Sequence, residues 1–299
     1  MNKFLTLVWA ILLSQIVFAQ KAPVNRSVVD LSPAACGEIV KHSFYTLAYS
    51  EQDEQPYWVY YVLTPDFLAG SQPRKDAFRA DPAVRTGSAS LADYSGSGYD
   101  RGHLCPAGDM VFNARSMSES FYLSNMSPQE PSFNRGIWKK LEALVRQWAK
   151  DAELTYVVTG GILANNKGHI GPGRVTVPGY YYKAVYCPGK GMIGFVLPNE
   201  GSNRPVSDFI VSVDRIEELT KLDLFAKLPD AREKQLEASV DPASWGFAGH
   251  SQLHAKAPAQ KAATPKSGSP VQCAAKTKSG SRCKRMAAQG SKYCWQHKK

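Results

Sequence analysis

Outside its first 19 residues the sequence has no apolar run long enough to cross a bilayer, which excludes a bundle of membrane-spanning helices. Its body has no internal repeat, so solenoids and fibrous arrays are excluded. Cysteine is scarce, with six in 299 residues, and a disulfide-dense miniature scaffold is excluded with it. The last 49 residues contain no acidic side chain. What is present is an ordinary globular mixture of 43% hydrophobic, 11% aromatic and 21% charged residues, incompatible with wholesale disorder.

The formal charge of +10 is unevenly placed. Residues 1–19 hold one Lys and no acid, and residues 251–299 hold eleven Lys and Arg. The remaining 24 basic residues face all 26 acids in residues 20–250, a net of −2. The body is therefore near neutral and the basic character belongs to a tail. At the other end, Lys3, the apolar run Phe4 to Leu13 and the small-residue site ending at Ala19 read as a signal peptide over 1–19. A retained membrane anchor is the alternative, disfavoured by the short run. The expectation is an exported protein, periplasmic or secreted, with no stable membrane insertion once the signal is removed.

Between about 35 and 250 the pattern is mixed. The stretches 57–63, 154–158, 180–186 and 192–197 are rich in β-branched and aromatic residues and read as strands. Glycines at 160–161, 171–173 and 189–191 read as turns between them. Apolar residues at helical spacing predict a helix from Asn134 to Lys150, and a second spans Val213 to Leu222. The class implied is α+β. From 251 to 270, Ala, Lys, Pro, Ser and Gly dominate without period, as in a flexible linker. A short cysteine-containing module occupies 271–299.

One short segment concentrates chemistry. Tyr99-Asp-Arg-Gly-His103 follows a Ser/Gly turn at 95–98. A histidine can take a proton from water near neutral pH. An arginine two residues away lies on the same side if the segment is extended, and its planar fork suits phosphate. Gly102 would let a substrate approach the backbone. Alone, Arg-Gly-His is weak, since a histidine bonded to a loop carbonyl beside a surface arginine looks the same. Downstream, Asn125 precedes a turn at Ser127-Pro128, and Asn134 stands where a helix cap is favoured. Glu142 lies eight residues on, two helical turns along roughly the same side. Amide and carboxylate oxygens suit Mg²⁺, which needs few protein ligands; a plain cap and a solvated glutamate are the structural alternative.

Asp100-Arg-Gly-His103 followed by Asn125, Pro128-Gln129, Asn134 and Leu141-Glu142 resembles the DNA/RNA non-specific endonucleases, which are ββα-metal (His-Me finger) nucleases. Phe78-Arg79, Asp93-Tyr94, the stretches 156–160 and 194–198, and Leu228-Pro229 extend the resemblance over about 40–240. It implies an α+β fold with a central antiparallel sheet, and Mg²⁺-dependent hydrolysis of DNA and RNA that leaves 5′-phosphate ends. It implies His103 as general base, Asn134 as direct ligand of one Mg²⁺, and Glu142 as holder of metal-bound waters. Arg101 would stabilise phosphate charge, and Asn125 would orient His103 or the waters. Asp100 would fix the loop. An upstream arginine would bind phosphate; Arg79 is the candidate, with Arg74 and Arg85 competing. A non-cleaving nucleic-acid-binding protein on the same fold and a phosphodiesterase for small diesters are the rivals. The oligomeric state stays open, a dimer included.

Cys36, Cys105 and Cys187 lie in the body, and the expectation is one disulfide and one free thiol, with the pair unspecified. The tail carries Cys273, Cys283, Cys294 and His297 in C-x9-C-x10-C-x2-H spacing. Three thiolates and an imidazole complete a tetrahedral Zn²⁺ shell, and so small a segment needs such a staple. It resembles a short Cys₃His module appended to various bacterial proteins; disulfides are the alternative in an oxidising compartment. Arg282, Lys284, Arg285 and Lys292 interleave with these positions, so the tail could hold nucleic acid near a near-neutral enzyme.

Overall fold

The computed structural model describes residues 28–249, 274–276 and 292–293. The signal-peptide reading, the linker over 251–270 and the four tail positions Cys273, Cys283, Cys294 and His297 lie outside the described residues. The chain divides into two units, Met1–His254 and Ala255–Lys299. In the second unit the N–H of Ala274 donates to the carbonyl of Lys292 at 2.9 Å. No helix among the described residues is long and apolar enough to cross a membrane.

The strands of the first unit are β1 (Glu38–Lys41), β2 (Tyr45–Ser50), β3 (Gln55–Leu63), β4 (Asp100–His103), β5 (Met126–Gln129), β6 (Thr155–Gly161), β7 (Asn166–Ile170), β8 (Val175–Pro178), β9 (Tyr180–Cys187), β10 (Gly191–Pro198) and β11 (Ile210–Val211). Seven of them form one sheet in the order β1-β2-β3-β6-β9-β10-β11, antiparallel at every pairing. β4 pairs with β5 and β7 with β8 as separate two-stranded ribbons.

Alternation along the strands buries both faces of the large sheet. Val59, Tyr61 and Leu63 of β3 join Val157, Val185, Phe195 and Leu197 on one face. There they meet Leu141, Val145, Trp148 and Ala149, the buried stripe of the helix Lys139–Asp151. That stripe has helical spacing, and the exposed Lys139 and Lys140 lie off it. Trp58, Tyr60, Tyr156, Val158, Tyr182 and Ala184 point the other way, onto Val213 and Ile216 of the helix Val213–Thr220 and onto Leu224 and Phe225. The sheet is thus a central layer with a helix against each face.

Several local expectations change. The helix begins at Lys139 rather than Asn134. Residues Phe133–Trp138 form a wider π-type turn, and Gly136 leaves helical geometry at φ −104°, ψ −109°. Ser127 and Pro128 lie in β5, paired with Gly102 and Arg101, and do not form a turn. Gly160 and Gly161 lie within β6, not in a turn. A β-carbon on Gly160 would sit 2.4 Å from the carbonyl oxygen of Tyr57 and 2.9 Å from the Tyr182 hydroxyl oxygen, so this glycine serves close packing.

The three body cysteines are all free thiols, in place of the expected pair. Cys105 and Cys187 are packed in the core on the helix Lys139–Asp151 side of the sheet. Cys36 packs against the core on the opposite side.

The close approach at Gly160 makes a discriminating prediction. A turn glycine at ordinary φ would accept alanine with little loss, whereas Gly160→Ala is expected to destabilise the protein by about 1–3 kcal/mol, the range for overpacking. Urea unfolding of the two proteins measures it.

Candidate active site

β4 and β5 lead into the helix Lys139–Asp151, and this ββα arrangement borders the main cavity, of about 1050 Å³. Arg101 and His103 stand two apart on β4 and both line it, as extended backbone requires. Asn134 and Glu142 line it from the wide turn and the helix. Arg74, Arg135, Lys139 and Arg146 add positive charge. The lining holds five arginine and lysine residues against the carboxylates of Asp100 and Glu142, so a near-neutral body concentrates cationic charge where a polyanion would enter.

Asp100 joins the two halves of the site. Its Oδ2 accepts from Asn134 Nδ2 at 2.9 Å and from Arg135 Nε at 2.8 Å, and its Oδ1 accepts from Arg135 Nη2 at 2.6 Å. Asn134 is therefore not a helix cap. Its amide nitrogen is committed to Asp100, which leaves the amide oxygen as its donor for an ion.

His103 is buried, and its Nε2 has no hydrogen-bond partner among the described residues. Its ring stands edge-on to Phe121 with centroids 4.9 Å apart, and tilted against Phe78 at 5.6 Å. Burial and then the charge of Arg74 pull its pKa down to about 3; Asp76 opposes the shift and Arg101 adds a smaller push in the same direction as Arg74. The imidazole is neutral at ordinary pH and has a lone pair to accept a proton.

Behind Glu142 lies a buried ionic cluster that the sequence reading missed. Lys183 of β9 is fully buried, with Nζ 4.8 Å from the Trp138 ring centroid. Arg146 Nη1 donates to Asp109 Oδ1 at 2.7 Å. Burial pushes the Glu142 carboxyl up and the Lys183 ammonium down, while the attraction between the two opposes both shifts. One lysine in the apolar strand YYYKAVYC was the available signal.

Two expected site residues are placed elsewhere. Arg79 does not line the cavity. Its guanidinium lies 4.0 Å from the Tyr122 ring centroid, and it donates to the carbonyls of Ala77 and Ser118 and to the Ser118 hydroxyl. Those bonds use its fork to hold a loop. Arg85 is also absent from the lining, whereas Arg74 is present. Asn125 is fully buried and reaches neither the cavity nor the His103 ring. It accepts from the Cys105 N–H at 2.8 Å, and donates to the carbonyls of Cys105 and Ser120 at 2.9 Å each. It is a positioning residue that clamps the chain just beyond His103. Gly102 also differs from expectation. A β-carbon there would meet the Gln129 side chain at 2.1 Å, so the close neighbour is protein and not substrate.

The donor set fits a hard divalent ion. Asn134 offers an amide oxygen and Glu142 a carboxylate in one cavity. Among the described residues the cavity holds no cluster of three His, Cys or carboxylate ligands. Few protein oxygens with most positions left to water is the coordination habit of Mg²⁺.

Two predictions follow from the arginines. Arg74→Ala is expected to lower kcat/KM on DNA at least tenfold with unchanged Tm, while Arg79→Ala lowers Tm and leaves substrate affinity near wild type. Steady-state kinetics beside thermal melts separates them. Burial and, after it, the charge of Arg74 depress His103, so an activity that uses this imidazole as its base is expected to have the acid limb of kcat/KM well below pH 6, moved to higher pH in Arg74→Gln. A limb that stays in place would remove the electrostatic coupling of Arg74 to His103.

The chain is 35% identical over 228 residues to "Nuclease C1" of Cunninghamella echinulata var. echinulata, covering 69% of this chain and 90% of that protein. It is 32% identical over 212 residues to "Endonuclease G, mitochondrial" of Homo sapiens, covering 65% of this chain and 71% of that one. A chain of the crystal structure of the EndoG/EndoGI complex superposes with a TM-score of 0.61 at 30% identity, over 66% of this chain and 89% of that one. The family model for DNA/RNA non-specific endonucleases matches residues 28–231, and the chain belongs to that family.

Proposed function

We propose that this member of a Mg²⁺-dependent nuclease family is an exported endonuclease that cuts DNA and RNA with little regard to sequence and leaves 5′-phosphate ends. The observation that carries the reading is the convergence of a neutral buried imidazole, phosphate-matching guanidiniums and two hard oxygen donors on one cationic cavity. Export is supported by the pattern of residues 1–19.

Each residue has a role that its surroundings favour. Asn134 and Glu142 would hold Mg²⁺, Asn134 directly and Glu142 through water. When bound, the ion supplies Lewis-acid stabilisation of charge on the phosphate and the departing 3′-oxygen. His103 takes the proton of the attacking water on its imidazole ring. Arg101, whose guanidinium lies 4.3 Å from the Phe78 ring centroid, and Arg74 bind phosphate oxygens and stabilise the added negative charge. Contacts of this kind go to phosphate and carry no base identity, which accounts for tolerance of sequence and sugar. The basic tail, read as a Cys₃His zinc module, would raise the local concentration of nucleic acid; its composition supports that reading.

The test is plasmid DNA and RNA cleavage by the mature chain with Mg²⁺. Wild type is expected to degrade both, and EDTA to stop it. His103→Ala should lower kcat by about 10²–10⁴, the range for loss of a general base. Asn134→Ala should lose Mg²⁺ affinity. Binding without cleavage under any divalent ion would reject the catalytic reading.

A further inference from the structure

The helix Asp230–Glu237 has a weak apolar hold on the rest of the protein. Its sequence is DAREKQLE, and the only residue it buries is Glu237. Leu236 is half-buried against the core on that face of the sheet. A carboxylate is a costly choice for the one buried position of a surface helix. Glu237 is 5% exposed, and its Oε1 has no hydrogen-bond partner among the described residues. Glu233, one turn earlier on the same side, also has a buried Oε1 without a hydrogen-bond partner.

Glu237 is aimed at other carboxylates. One oxygen from each of Asp214, Glu217 and Glu237 lies within 4.8 Å of the others. Asp214 and Glu217 are three apart on the helix Val213–Thr220 and share a face. Glu217 Oε1 accepts the Leu224 N–H at 2.7 Å, which orients that carboxylate. Asp223 lies close enough to add negative charge, and burial, followed by this crowding of like charges, pushes Glu217 and Glu237 well above the usual carboxylate range. The nearby cations are committed or outside: Arg215 donates to Glu218 at 2.6 Å, and Lys234, which offsets Asp214, is exposed.

Carboxylate oxygens this close repel unless a proton or a cation lies between them. Three carboxylates from two helices form a protein-supplied oxygen set, which suits Ca²⁺, a cation that takes about six to eight oxygens in flexible geometry; Mg²⁺ keeps several waters and is usually held by one or two carboxylates. We infer that Asp214, Glu217 and Glu237 form a Ca²⁺ site, which ties the helix Asp230–Glu237 to the helix Val213–Thr220. The ion takes the place of the apolar contact that the sequence DAREKQLE does not supply. The site is on the face of the sheet opposite the helix Lys139–Asp151, and the inference does not depend on the nuclease reading.

The test uses the full chain carrying Asn134→Ala, which removes the proposed catalytic ligand, stripped with EGTA and titrated with CaCl₂. One Ca²⁺ per chain by calorimetry and a Tm that rises with CaCl₂ are expected. Glu237→Gln and Asp214→Asn, each added to that background, should weaken Ca²⁺ binding at least tenfold and abolish the Tm response. Glu237→Gln keeps the side-chain size, and Asp214 is only partly buried, so Asp214→Asn tests the site with little disturbance of the packing. Binding undiminished in both variants overturns the inference. So does the absence of binding and of any Tm response at about 10 mM CaCl₂, above the weakest range of natural Ca²⁺ modules. A Tm that rises only on acidification would assign the cluster to shared protons, and overturns it as well.

Discussion

The site depends on one carboxylate that joins two segments distant in sequence. Asp100 begins the short strand that carries Arg101 and His103, and it receives Asn134 and Arg135 from the turn that opens the long helix. His103 and the side-chain oxygens of Asn134 and Glu142 come from opposite sides of this junction. The guanidinium of Arg135 is largely exposed, so the ion pair adds little to global stability. Its effect is geometric, because a bidentate fork and an amide on one carboxylate fix both direction and distance. Asn134 reaches Asp100 with its side-chain amide from the wide turn at 133–138, and irregular helical turns of this kind recur at functional sites.

Electrostatics is arranged in layers around this junction. The body is near neutral, yet arginines and a lysine dominate the lining of the cavity. Beneath them, Asp109, Glu142, Arg146 and Lys183 form a buried cluster of mixed sign. Buried charge of this sort is poor evidence of stability. Here it sets the field around Glu142, with Lys183 favouring the ionised carboxylate that a divalent ion needs and Asp109 opposing it. His103, by contrast, is kept neutral by apolar rings and like-signed neighbours. One cavity thus holds a neutral acceptor of protons beside carboxylates whose charge is regulated.

Strands with strong β-branched and aromatic patterns were legible in the sequence, because burial on both faces leaves long apolar runs such as those of β3, β9 and β10. Helix content was legible too, since Leu141, Val145 and Trp148 repeat at helical spacing. Boundaries were less so. Gly136 breaks the helix without any proline to announce it. Gly160 looked like a turn residue because glycine has two uses, positive φ and close packing, and only the position of Tyr57 distinguishes them. The ribbon of β4 and β5 was hidden by Pro128, which is tolerated where a strand has a free edge.

The sequence by itself determined the composition of the site: a histidine and an arginine two apart, an asparagine, and a glutamate eight residues beyond it. It also determined the near-neutral body and the basic tail. These follow from local spacing and charge counts, which are properties of the chain. Tertiary structure alone decided which groups meet. It turned Arg79 onto Tyr122 and placed Arg74 at the cavity. It made Asn125 a clamp on the backbone of Cys105, left three thiols apart, and put Lys183 behind Glu142. The physical reason is that hydrogen bonding and Coulomb interactions act over a few ångströms in space, and residues as far apart as 100 and 134 come within that range only after the sheet and helix have packed.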